Sequence, residues 1–265
     1  MTRCQINPKF ANSARLLSFV ESLPAVFADG GKLIWDGRNK IKLFTLAADD
    51  ADSGDMHVIV KRFKHLNLLQ KIIYIFRRSK ASKAFRNGME LCRRGFDTPT
   101  PIACVETRQG PCIKEMFYLC DETTLQSIEG QTDRPDWNKG LAAAFARYAA
   151  ALHGKGILHN DLNDTNVLYA PLPDGDFRFA VIDINRMKFY PEGQRIPDRE
   201  CIENLTRFTG RIDLFEFVAR QYAKARSLDE EDWANKAVAQ KRRHDRNWYR
   251  RKRLLHPMKK KYRNR

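Results

Sequence analysis

The sequence has no paired cysteines. Its six, Cys4, Cys92, Cys104, Cys112, Cys120 and Cys201, form no CxxC pair and no Cys/His cluster. That excludes a zinc-ribbon site and a disulfide framework, and suits a reducing compartment. No run of about 18 apolar residues occurs, so no membrane-spanning helix is expected. The opening stretch MTRCQINPKFANSARLLSFVESLP lacks an apolar h-region, so no secretory signal is expected. Internal repeats are absent, and the one compositionally biased segment is the C-terminal tail.

What is present is core material and unevenly placed charge. At 265 residues and 43% apolar, the chain can bury one large domain or two small lobes. Residues 241–265 carry 13 Lys/Arg against Asp245 alone, 13 − 1 = +12, so the other 240 residues hold only 16 − 12 = +4. The tail is the basic object, and such a block favours a polyanion: phospholipid headgroups, phosphorylated glycolipid or nucleic acid.

Residues 32–47 show two short apolar runs around Asp36-Gly37-Arg38-Asn39, a hairpin signal. MHVIVKRF (56–63) reads as a third strand, with Ile59 and Lys61 on one face and Val58 and Val60 on the other. Between them, AADDADSGD (47–55) is a loop. Leu66, Leu69, Ile73 and Phe76 recur at helical steps in one helix that continues to a stop at Gly95. TPTPIACVE and CIKEMFYLC are two further strands. From about residue 121 the pattern turns helical. Asp136 caps a helix with the stripe Leu141, Phe145, Tyr148 and Leu152, and Ser227 with Glu230 forms a capping box for a later one. NVLYA, PLPDGD and FRFAVIDI read as strand, turn and strand. Five strands and a helix before a helical lobe is the plan of a two-lobed phosphotransferase, α+β in class.

Phosphoryl transfer from ATP needs a strand lysine for the phosphates, oxygen ligands for Mg²⁺ and an aspartate at the acceptor hydroxyl. Lys61 lies on the third strand. His159-Asn160-Asp161 forms an H-x-D triplet, Asn166 follows Asp161 by five residues, and Asp183 ends the second strand of the hairpin. Singly, each has a plainer reading: Lys61 an edge-strand charge, Asp183 a turn cap, His159 a structural histidine. Their joint order and spacing decide for the phosphotransferase, with His159 as scaffold.

GRNKIKLF, VKRF, SKASKAF, GFDTPTPIA, LHGKGILHNDLNDTNVLY and VIDINRMKF resemble the bacterial lipopolysaccharide core kinases, which act on Kdo or heptose, over about residues 30–225. The resemblance implies a protein-kinase-like fold with an antiparallel N-terminal sheet lobe bearing one or two helices. It also implies ATP, Mg²⁺ and a glycolipid sugar acceptor, most simply Kdo, at the cytoplasmic face of the inner membrane. By position, Lys61 would hold the α- and β-phosphates, Asp161 would orient the hydroxyl and accept its proton, and Asn166 and Asp183 would bind Mg²⁺. Backbone around Gly37, Arg38 and Asn39 would cover the nucleotide. The expected division is 1–119, 120–236 and a basic tail, 237–265.

Four features depart from the pattern. The covering turn has one glycine, Gly37, and no GxGxxG. Arg86 stands where the helix glutamate belongs, leaving Glu90, one turn later, as the candidate partner of Lys61 against the alternative of a surface glutamate. No A-P-E-like segment follows Asn185, and Asn163 stands where protein kinases keep a lysine. Both features favour a small or sugar hydroxyl over a protein acceptor. Arg186 and Lys188 are candidates to meet an anionic acceptor, against the alternative of solvent-facing charge. Trp248, Tyr249, Leu254 and Leu255, interleaved with cations, suit an anionic membrane surface, and the same pattern suits a phosphate backbone. LNLLQKIIYIFRRSK (66–80) is a second apolar-then-basic segment, for which a core-packing helix with a solvated basic end is the favoured reading. The rivals are a kinase with a small-molecule or protein acceptor, and a pseudokinase binding nucleic acid through its tail.

Overall fold

In a computed structural model, which describes residues 2–48, 54–64, 67–132 and 134–255, the chain forms two compact units. One comprises residues 1–125 and 180–187, the other 126–179 and 188–265. The first boundary falls six residues beyond the expected 119/120, and an eight-residue segment after the hairpin returns to the first unit.

The first unit is built on a six-stranded antiparallel sheet. Its strands are β1 (Thr2–Ile6), β2 (Lys32–Asp36), β3 (Lys40–Leu46), β4 (Met56–Arg62), β5 (Pro101–Gln109) and β6 (Cys112–Asp121), in the order β1-β5-β6-β4-β3-β2. Alternation along β4 sends Val58 and Val60 into the core, both 0% exposed, and Ile59 and Lys61 to the opposite face. The core face is covered by α1 (Ala14–Asp29), whose Leu16, Phe19, Val20, Leu23 and Phe27 pack with Phe44, Ile102, Val105, Phe117 and Leu119. Truncating a side chain such as Phe27 to alanine would cost about 3–5 kcal/mol. Neither β1 nor α1 is among the elements expected from the sequence. The pairing partner of β1 lies about a hundred residues away, on β5.

The long helix expected after β4 is two helices, α2 (Leu68–Phe76) and α3 (Lys80–Arg93), because Ser79 accepts from the Ser82 N–H and starts a new one. Ile73 and Phe76, expected in a buried stripe, are 41% and 86% exposed. Leu66 and the Leu69 side chain lie outside the described residues, as do 49–53 of the expected loop. Helix α3 ends as expected at Gly95, whose φ of +83° suits a left-handed cap. Midway along α3, Gly88 allows close approach: a Cβ there would lie 2.5 Å from Pro101 Cγ and 3.0 Å from Ile184 Cδ1.

The second unit carries a three-stranded sheet, β10-β9-β7, from β7 (Gln126–Ser127), β9 (Val167–Pro171) and β10 (Phe177–Val181). A two-stranded ladder joins β8 (Ile157–Leu158) to β11 (Lys188–Phe189). Its helices are α4 (Glu129–Thr132), α5 (Lys139–Gly154), α6 (Asp198–Leu205), α7 (Ile212–Ala225) and α8 (Glu230–Leu255). Asn138, two residues beyond the expected Asp136, caps α5 by accepting from the Leu141 N–H at 3.0 Å. Phe145 of the α5 stripe stacks on Phe208 at 3.8 Å. The expected Ser227 capping box is replaced by Asp229, which accepts from the Asp232 N–H at 2.7 Å, while Ser227 turns the chain at φ +53°. Trp233, Ala234, Ala237 and Lys241 of α8 are buried, so the expected tail from 237 begins inside a packed helix. Residues 256–265 lie outside the described residues.

Candidate active site

Lys61 comes from the face of β4 that also carries, on the neighbouring strand, its cross-strand partner Tyr118. Its Nζ lies 2.6 Å from Asp183 Oδ1 and 5.3 Å from the centre of the Phe63 ring. Asp183 follows β10 and starts a 3-10 turn, Ile184–Arg186, in the left-handed region at φ +55°. Asp tolerates that region better than most residues, and such a conformation persists where the surroundings over-determine it. Its carboxylate makes no capping bond and instead receives Asn185 Nδ2 at 2.8 Å beside Lys61. The Val181 N–H donates to the Asp97 carbonyl at 3.1 Å, and Asn87 Nδ2 donates to the Ile184 carbonyl at 2.8 Å. Ile184 packs on Gly88. Helix α3 therefore holds the turn at Ile184, while the loop after α3 holds the strand before Asp183 through the Asp97 carbonyl.

Glu90 is not the partner of Lys61. Its carboxylate takes both Arg93 nitrogens, at 2.7 and 2.8 Å, and Arg94 Nε at 2.7 Å; its hydrogen bond from Arg93 is the main reason its pKa falls to about 2. Arg93 and Arg94 follow Glu90 by three and four residues on the same helix, so the local pairing wins. Arg86 is exposed.

The covering turn is closed by an Asp36–Lys40 ion pair at 3.0 Å and by the Gly37 N–H to the Asn39 carbonyl. Asn39 Oδ1 accepts from the Lys64 N–H at 3.1 Å. The single glycine has a packing reason: a Cβ on Gly37 would lie 2.5 Å from Trp35 Nε1. The ammonium of Lys80 is held below its usual pKa, first by burial and then by Arg38 and Arg186. The same unit therefore gathers cations around Asp183.

In the second unit His159 is fully buried, and Asn160 takes the left-handed conformation, φ +60°, that turns the chain into Asp161. Asp161 Oδ1 lies 3.3 Å from Arg207 Nη1, with the two side chains 18% and 44% exposed. Asn163, unassigned from the sequence, caps the 3-10 turn Asp164–Asn166, accepting from the Asn166 N–H at 3.0 Å and Thr165 Oγ1 at 2.7 Å. Asp164 accepts from the Thr165 N–H and from Thr132 Oγ1. Asn166, 9% exposed, donates from Nδ2 to the Asp161 carbonyl at 2.9 Å. A carbonyl accepts only from the amide nitrogen, so that bond fixes which end of the Asn166 amide is the oxygen. Lys188 is engaged elsewhere, with Tyr190 and Glu200 at 2.7 and 3.0 Å.

Residues 26–235 match the lipopolysaccharide kinase (Kdo/WaaP) family. The chain belongs to that family. It is a kinase with a protein-kinase-like fold. Among solved structures it is similar to WaaP in complex with acyl carrier protein, with a TM-score of 0.56 and 20% identity, over 90% of this chain and 99% of that one. It is also similar to the Rio2 kinase–ADP/Mg²⁺–phosphoaspartate complex from Chaetomium thermophilum, with a TM-score of 0.46 and 13% identity over 85% and 75% of the two chains. A search of curated proteins finds no match.

Mg²⁺ is a hard cation that takes one or two protein oxygens and fills its remaining positions with water and phosphate. Asp183 in the first unit and Asn166 in the second each carry an oxygen of that kind. No group of three or more His, Cys, Asp or Glu that would cage a metal occurs among the described residues. Sequence reasoning missed Arg207, Asn185, Asn87 and Gly88. Arg207 lies 46 residues from Asp161 in sequence and belongs to no local motif.

Proposed function

We propose that the protein transfers the γ-phosphoryl group of ATP to a hydroxyl of the lipopolysaccharide inner core, with Kdo as the acceptor sugar. The observation that carries the nucleotide half of this reading is the Lys61–Asp183 pair at 2.6 Å. Lys61 would exchange Asp183 for the α- and β-phosphates, and Asp183 and Asn166 would hold Mg²⁺. When bound, Mg²⁺ neutralises phosphate oxygens as charge shifts toward the leaving ADP. Asp161 orients the sugar hydroxyl and accepts its proton as the new O–P bond forms and the bond to the ADP oxygen breaks. Because such transition states are loose, positioning by Asp161 contributes more than base strength. Arg207 fixes the Asp161 carboxylate from the side, a service that no lysine at position 163 supplies here.

No helix among the described residues is long and apolar enough to cross a membrane. The exposed Trp248 and Tyr249 near the end of α8, with Lys252 4.6 Å over the Trp248 ring, support peripheral attachment of the basic tail to the cytoplasmic face of the inner membrane. The test is transfer from [γ-³²P]ATP to Kdo-lipid A and to its heptosylated form. Label on Kdo-lipid A, lost in Asp161→Ala, is the expected result. Label on the heptosylated acceptor alone would replace Kdo by heptose, and undiminished transfer by Asp161→Ala would remove the mechanism. Tight, steeply salt-dependent RNA binding without ATP binding would favour the pseudokinase reading instead.

A further inference from the structure

The ladder that leads into the Asp161 loop is short. Strand β11 pairs with β8 through Lys188 with Leu158 and Phe189 with Ile157, and His159, Asn160 and Asp161 follow β8 directly. So few rungs fray readily unless other bonds fix the strand. Lys188 is also the residue at which the chain re-enters the second unit. The Tyr190 N–H donates to the Gly156 carbonyl at 2.8 Å, which extends the ladder by one bond. Beyond the ladder, the Tyr190 hydroxyl donates to Glu200 Oε1 on α6 at 2.6 Å, the short distance of a charge-assisted bond. Lys188 Nζ completes the strap, 2.7 Å from the Tyr190 oxygen, 3.0 Å from Glu200 Oε2 and 4.3 Å from the centre of the Tyr190 ring. The Lys188–Glu200 ion pair is exposed and adds little. Tyr190 is buried, so its bond to the carboxylate is the stronger link. Two further residues in and after α6 bear on the same region. Asn204, one turn after Glu200 on the same helix face, meets His153 Nε2 at 3.0 Å near the end of α5, the helix that precedes β8. Arg207, just past the helix, donates to Asp161 Oδ1 at 3.3 Å. The α6 segment therefore touches the chain before β8, the strand beside it and the loop after it.

We propose that Glu200 is a positioning residue for Asp161, holding β11 against β8 through Tyr190 and Lys188 so that the loop after β8 keeps its reactive geometry. This role rests on the reading of Asp161 as the group at the acceptor hydroxyl. A strap that served only the fold would move the melting temperature and leave kcat alone.

The experiment compares Glu200→Ala, Glu200→Gln, Tyr190→Phe and the double variant Glu200→Ala/Tyr190→Phe in the full chain. Transfer from [γ-³²P]ATP to the lipopolysaccharide acceptor and amide hydrogen exchange are the two readouts. Glu200→Ala should lower kcat about tenfold or more, the scale of a small misplacement of a reacting group, with KM for ATP within about twofold of the wild type. Glu200→Gln keeps one acceptor for the Tyr190 hydroxyl and should recover part of the loss. Tyr190→Phe keeps the buried ring and removes only the hydroxyl, so it covers the case of a glutamate variant that fails to fold. The double variant should be no slower than Glu200→Ala, because both changes break one link. Amides of residues 156–161 should exchange faster in Glu200→Ala while those of α7 hold, which separates local loosening from unfolding. Unchanged kcat in both single variants, multiplied effects in the double variant, or equal acceleration of exchange in α7 overturns the proposal. Undiminished transfer by Asp161→Ala removes the reading of Asp161 itself. Loss at Asp161 with none at Glu200 or Tyr190 removes the strap alone.

Discussion

Lowering the pH removes stability from the second unit through one histidine. His153, near the end of α5, is 2% exposed, with Nδ1 2.8 Å from the Tyr222 hydroxyl on α7 and Nε2 3.0 Å from Asn204 Oδ1 on α6. Burial pushes its pKa down from 6.5 to about 4; Arg226 adds to the effect and the Asn204 hydrogen bond opposes it. The unfolded chain binds a proton at this ring below about pH 6.5, whereas the folded one binds it only below about 4, so stability falls as the pH drops through that window. The gap from 6.5 to about 4, at about 1.4 kcal/mol per pH unit, amounts to about 3 kcal/mol in full, and about 2 kcal/mol of it is lost between pH 7 and pH 5. Carboxylates such as Glu90 and Asp213, held at about 2, lose their contribution only at lower pH. Trp233 stacks on Tyr222 at 5.2 Å, so tryptophan fluorescence in urea reports this region. The wild type should lose about 2 kcal/mol more than His153→Gln between pH 7 and pH 5. Parallel pH slopes for the two proteins would refute the reasoning.

Three further outcomes are expected. Gly88→Ala gains about 1 kcal/mol of helix propensity, but its Cβ meets the rigid Pro101 ring at 2.5 Å, where overpacking costs about 1–3 kcal/mol. Thermal unfolding should show a net loss, and kinetics a raised KM for ATP; a more stable variant with unchanged KM contradicts this. Arg207→Ala should lower kcat roughly tenfold or more, with partial rescue by Arg207→Lys. The melting temperature should hold, because a half-exposed pair is worth about 1 kcal/mol or less. Asn163→Ala should cost about 0.5–2 kcal/mol by uncapping the turn at Asp164–Asn166, and Asn163→Asp should recover most of it as read by unfolding midpoints.

Much of the fold was legible because period-two and helical patterns coincide with real packing faces. The β4 assignment, with Val58 and Val60 inward and Lys61 outward, follows from alternation alone. What failed was of two kinds. Caps shifted by two residues, from Asp136 to Asn138 and from Ser227 to Asp229, because Asn and Asp compete equally for such positions and only the backbone path chooses between them. Ile73 and Phe76 of α2 have the expected helical spacing yet are exposed among the described residues, since periodicity reports an apolar face without naming what covers it.

The motif residues occupy the elements expected of them, yet their partners differ in an instructive way. A kinase with a helix glutamate couples that helix to the strand lysine through an ion pair. Here Glu90 is spent on Arg93 and Arg94, and Lys61 holds Asp183 directly. Helix α3 still reaches the turn that carries Asp183, but by packing and one amide: Gly88 against Ile184, and Asn87 to the Ile184 carbonyl, one residue after Asp183. Such coupling is short in range and insensitive to salt, where an ion pair is neither. A close-packed glycine and a side-chain amide leave no motif in a sequence, so this link becomes visible only once Pro101, Tyr118 and Ile184 converge on one turn of α3.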